Sequence, residues 1–152
     1  MGKELQVEGR RSQNQISPLV KAKVLDLVKT NVYSRLLSER LLIFGACVRD
    51  EWPQIFEELA VGRTCLEVCP EDVHINTVIE KLASILAKNR VKELCILTKD
   101  GSPHCIGLHF AAEWAQKMTK SSGTQLRYFV IEHGKLVEVS SQMVEEKRHL
   151  SK

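Results

Sequence analysis

Leu41-Leu42-Ile43-Phe44-Gly45 decides how the rest of the chain is read. Four apolar residues in a row, stopped by glycine, suit a strand covered on both faces better than one with a wet side. Working outward, Leu94–Leu97 has the same character, and Cys65–Val68 and Leu126–Ile131 read as further strands. Between them lie stretches of helical period. Asp50 to Ala60 forms a short helix ended by Gly62, and Asp72 can cap a helix whose Ile75, Val78, Ile79, Leu82, Ile85 and Leu86 share one face. Leu108, Ala111, Ala112, Ala115 and Met118 stripe the next one. His133-Gly134 makes a tight turn into Leu136–Val139. Strands alternating with helices through short connections imply right-handed crossovers and parallel pairing. The expected fold is a small three-layer α/β domain, its sheet mainly parallel, with helices on both faces and a C-terminal antiparallel hairpin.

Ahead of this core, Ser17-Pro18 offers a helix start, and Val20, Val24, Leu27 and Val28 give a stripe that can run on through Tyr33, Leu36 and Leu37. Residues 1–15 are polar and carry Arg10-Arg11, which reads as a flexible arm. The organisation expected is an arm over 1–15, a single domain over 16–140 and a charged tail over 141–152.

Composition narrows the function classes. The chain has 152 residues, 43% hydrophobic and 27% charged, enough to bury a core without a metal or disulfide. A net charge of +3, with basic residues scattered among glutamates, lacks the basic stripe of a nucleic-acid reader. No apolar run approaches the ~18 residues of a bilayer span, and the first ten residues contain no secretory h-region. Five cysteines without a regular framework suit a reducing, cytoplasmic setting.

In a parallel α/β sheet, ligands bind beyond the carboxyl ends of the strands. Those positions hold Gly45-Ala46-Cys47, then Cys69-Pro70 with His74 further on, then Pro103-His104-Cys105, then His133. Thiols and imidazoles thus collect along one edge. Cys65 and Cys95, within strands, read as small apolar fillers. For Cys47 and Cys69 idle loop thiols are an equal alternative, and His74 and His133 suit a solvated helix flank and a turn. Cys105 stands out because a thiol at a helix start meets unpaired N–H groups and the positive end of the dipole. Dinucleotide, phosphate-loop, His-Glu-x-x-His and Gly-x-Ser-x-Gly motifs are all missing. Cys105-Ile106-Gly107-Leu108-His109 also lacks the arginine of an anion-cradling thiol loop.

The order Cys69-Pro70, Val78-Ile79-Glu80-Lys81-Leu82, Pro103-His104-Cys105-Ile106-Gly107-Leu108 and Ile131-Glu132-His133-Gly134-Lys135 resembles the α/β domain of small archaeal and anaerobic bacterial ferredoxin-like 4Fe-4S proteins. The likeness spans Arg63 to about Val139. His104 stands where that family's paired cysteine begins, and the clustered cysteines of a ferredoxin segment are absent. The resemblance implies a link to redox metabolism. The resulting expectation is an accessory redox-linked protein holding a transition metal or iron–sulfur cluster through Cys69, His104 and Cys105, with Cys47, and working with a redox partner protein. Two other classes stay open: an interaction or regulatory module without metal, and a small enzyme using Cys105 as nucleophile.

Overall fold

The computed structural model describes residues 23–144. The proposed arm, the start of the first helix at Ser17-Pro18 and the end of the charged tail lie outside them. The elements are β1 (Val24–Asp26), β2 (Arg40–Gly45), α1 (Ala46–Glu51), α2 (Pro53–Ala60), β3 (Thr64–Val68), α3 (Ile75–Lys88), β4 (Glu93–Lys99), α4 (Pro103–Thr119), β5 (Gln125–Glu132) and β6 (Lys135–Val139). They build one six-stranded sheet in the order β1-β3-β2-β4-β5-β6. All neighbours are parallel except β5 and β6. His133 and Gly134 both have positive φ, 51° and 75°, as a two-residue hairpin turn of this hand requires. The expected α/β architecture is therefore present.

Strand alternation divides the core in two. Leu41, Ile43, Leu66, Val68, Leu94 and Ile96 point to one face, where Val78, Leu82 and Ile85 of α3 and Leu108, Ala111 and Ala115 of α4 cover them. Leu42, Phe44, Cys65, Cys95, Leu97 and Phe129 point to the other, under Val48 of α1 and Phe56 and Leu59 of α2. Phe44 and Phe56 meet with ring centroids 4.6 Å apart. Residues 141–144 are helical, and Val144 packs back into the α3–α4 core.

Three local expectations need correction. Val24–Asp26 is an edge strand paired with β3, and residues 27–38 are turns instead of a continued helix. The cause lies in the short polar side chains: Asp26 Oδ1 accepts from Lys29 N at 2.9 Å, Asn31 Oδ1 from Tyr33 N at 2.8 Å, and Ser34 Oγ from Leu36 N at 3.1 Å. Each offers the backbone a bond that competes with the helix. The single helix over 50–60 is two, broken where Pro53 holds Trp52 at φ −134°, ψ 64°. His74, not Asp72, caps α3, its Nδ1 accepting from Asn76 N at 3.2 Å.

The amino edge of the sheet is tied by one carboxylate. Glu93 Oε1 accepts from Arg40 Nε at 3.1 Å and Arg63 Nε at 2.9 Å, while Oε2 accepts from Arg127 Nη1 at 3.1 Å. Burial by itself would raise the Glu93 pKa, but the hydrogen bonds from Arg63, Arg127 and Arg40 outweigh it and hold the carboxyl down at about 2. A carboxyl more acidic in the folded than the unfolded chain binds fewer protons when folded. Its contribution is complete above the unfolded pKa of ~4.3 and drains away as pH falls toward 2. Glu93→Gln should cost at most about 3 kcal/mol at pH 7, and the gap from the native protein should begin to narrow near the unfolded pKa of ~4.3 and close as pH falls to about 2. Urea unfolding at several pH values measures both; a gap independent of pH would mean that the carboxylate charge is not what matters.

Candidate functional site

The chain leaves β2 toward the α1–α2 face and leaves β4 toward the α3–α4 face. These two strands are neighbours. Their carboxyl ends therefore part in opposite directions and open a crevice at the switch point of the topology, the usual ligand position in such sheets. Gly45 and Lys99 end the two strands, and Cys47 and Cys105 stand in the first turns of the helices that follow, α1 and α4.

Ser102 caps α4, its Oγ accepting from Cys105 N at 3.3 Å, and Pro103 opens the helix with its φ already set. The helix thus begins at Pro103, two residues before Cys105. Cys105 is 4% exposed. A methyl group placed on Gly45 would lie 3.5 Å from Cys105 Sγ, so the sulfur rests directly over the bare backbone at the end of β2. A longer side chain at 45 would take its space.

From the opposite face, Cys47 is half-buried and near enough to Cys105 for the charge of one to bear on the other. Burial raises the Cys47 pKa, the nearness of Cys105 raises it further, and Lys99 opposes both. Lys99 Nζ donates to Glu51 Oε2 at 3.1 Å, and this carboxylate, then Cys47, raises the pKa of the ammonium. The crevice so holds two thiols, one ammonium and one carboxylate drawn from three elements.

The other expected donors are placed less closely. Cys69 follows β3, whose Val68 pairs with Gly45, so it lies one strand beyond β2 and two from β4, roughly 10 Å across the sheet from the latter. Its carbonyl accepts from Asp72 N at 3.0 Å in the turn toward α3. His104 falls in the first turn of α4, and its side chain lies outside what the structure describes. Among the described residues no group of three or more His, Cys, Asp or Glu side chains is arranged to hold a metal ion. His74 caps α3 and His133 occupies the hairpin turn. Cys65 and Cys95 are core thiols whose pKa burial pushes up to about 11.

Sequence reasoning passed over Lys99 and Glu51, as well as a buried pair beside the crevice, His109 Nε2 and Thr98 Oγ1, 2.8 Å apart. Two signals point to that pair: Thr98 falls on the α4 face of β4 by alternation, and His109 lies one turn after Cys105 along α4.

The electrostatics of the thiols have a direct consequence. The pH midpoint of Cys47 alkylation should lie above the ~8.5 of an ordinary thiol. Cys105→Ser should lower it without restoring the ordinary value, since burial is the larger cause. A midpoint unmoved by that substitution would show the thiols to be electrostatically independent.

No helix among the described residues is long and apolar enough to cross a membrane. No curated protein and no solved structure matches the chain. Residues 33–152, from the turns before β2 onward, match a Rossmann-like domain. That match covers most of the chain and agrees with the parallel sheet and its switch point, and the chain accordingly belongs to the Rossmann-like domain family.

Proposed function

We propose that this protein is an accessory, redox-linked α/β module that binds a thiophilic transition metal between Cys47 and Cys105, in concert with a redox partner protein. The observation that carries the reading is the nearness of Cys47, Cys105 and Lys99 at the switch point, with the Cys105 sulfur over Gly45 and Cys47 two residues further on, within reach of one another's charge. Thiolates are the soft ligands that select metals of this kind, and two suffice for an ion of low coordination number. On losing their protons the pair would carry two negative charges, and the Lys99 ammonium beside them offsets part of that charge.

A tetrahedral ion or an iron–sulfur cluster needs four donors. Such a shell would need Cys69, one strand beyond β2, and His104, next to Cys105 in the chain, to move in and join the pair. The resemblance to ferredoxin-like 4Fe-4S proteins points toward the same chemistry. Because Cys47 resists ionisation, binding must displace its proton, so affinity should climb with pH.

Anaerobic purification followed by metal analysis and a visible spectrum tests the reading. About one metal equivalent per chain is expected, lost in Cys47→Ser and in Cys105→Ser and retained in Cys65→Ser, whose sulfur is in the α1–α2 core. Loss in Cys69→Ser or His104→Ala as well would extend the ligand set. A chain that binds no transition metal, with Cys47 and Cys105 equally open to alkylation before and after metal addition, would favour the interaction-module reading.

A further inference from the structure

The only buried side-chain nitrogen or oxygen without a hydrogen-bond partner among the described residues is His109 Nδ1. The ring is 1% exposed. Its Nε2 is taken by Thr98 Oγ1 at 2.8 Å, and the edge of Tyr128 stands against it with centroids 5.1 Å apart. Leaving a polar atom unanswered at such depth costs more than a hydrogen bond returns, so an orphan of this kind calls for a ligand or a water.

A cleft borders the ring. His109 and Thr98 line a cleft of about 30 Å³ beside the 99–101 loop, walled by Ile106, Val130, Val139 and Val144. A water-sized group needs roughly 10–15 Å³ on this measure, so the cleft admits about two such groups. Gly101, with φ 81° and nothing within 4 Å of its outward position, and Met143, 46% exposed, stand at its solvent side. A thioether adapts readily to whatever lies against it.

We propose that this cleft is a binding site for small uncharged primary alcohols, the hydroxyl meeting His109 Nδ1 and the alkyl chain running out past Met143. Each feature of that ligand follows from the lining. Burial holds the imidazole neutral by pulling its pKa down to about 4, so no cation waits for an anionic ligand. The apolar walls would strip a charged group of water without replacing it. Thr98 can serve either tautomer of the ring, which leaves Nδ1 as acceptor or donor, and a hydroxyl answers both. Room for two small groups fits an oxygen and the carbon next to it, but no branching at that carbon. The site uses neither thiol and stands apart from the metal reading.

Titration with 1-butanol and with its isomer tert-butanol tests the site, followed through the His109 ring nitrogens by ¹⁵N NMR and through the Val130 and Val144 methyl signals. Saturable movement of Nδ1 and both valines is expected with 1-butanol and none with tert-butanol. Val130→Ile, which fills the cleft from its wall, should weaken the effect about tenfold or more. His109→Phe should abolish the methyl response; should it fail to fold, the Val130→Ile comparison stands by itself. Equal response to both isomers, response without saturation, or no response to either would overturn the proposal and leave water as the occupant.

Discussion

β2 lies between β3 and β4, and the chain can continue from it only by choosing a face. It turns toward α1, whereas the chain from β4 turns toward α4 on the other side. Two adjacent strands with opposite exits cannot have their carboxyl ends closed by a single layer of helix. The gap follows from connectivity and not from any side chain, and the surrounding residues are arranged around it. Gly45 leaves the end of β2 bare, so Cys105 can settle over it. Cys47 arrives from the far side because α1 starts immediately after Gly45, without a loop to carry it away.

The two edges of the sheet are organised on different principles. At the amino edge, Arg40, Arg63 and Arg127 converge on Glu93 from three strands or their approaches, and Glu138 of β6 takes both Nε and Nη2 of Arg127 at 2.9 Å. Both oxygens of Glu93 and three nitrogens of Arg127 are committed to other protein groups there. Such an edge resists change and offers a ligand little. The carboxyl edge carries groups of another kind: a lysine shared with one carboxylate, the free thiols of Cys47, Cys69 and Cys105, and an imidazole bonded through one nitrogen. Chemistry is available where bonds are left unmade, which is the physical content of locating function at this end.

Much of this plan was legible in the sequence. The apolar runs at Leu41–Phe44 and Leu94–Leu97 are long and buried on both faces, so no competing pattern could disguise them. The stretch from Val20 to Leu37 misleads because Val24, Leu27 and Val28 fit a helical stripe, while Asp26, Asn31 and Ser34 act through local bonds that a hydrophobic period does not register. The expected site was legible as a set of strand ends but not as a shape. Strand order decides which loops are neighbours, and order is not written in any single strand. Cys105 follows β4 and Cys69 follows β3, positions that look equivalent along the chain, yet β2 separates those strands. Met118 continued the α4 stripe on paper and is 58% exposed, because the close-packed alanines at 111, 112 and 115 already cover the sheet side of that helix.

The last two residues of β4 show how one strand end can serve two environments. Alternation sends Thr98 toward α4, where it holds His109, and Lys99 toward α1, where it meets Glu51 and bears on Cys47. On α4 the same economy applies: Cys105 and His109 are four residues apart, so they follow one another along nearly the same side of the helix, the thiol at the crevice and the imidazole one turn deeper. The two features are consequently held by the same two rigid elements, and any substitution that moved β4 against α4 would disturb both together. A change at Thr98 would reach the crevice in that way even though Thr98 touches neither thiol. A change at Gly45 would meet Cys105 alone and leave the Thr98–His109 contact where it is.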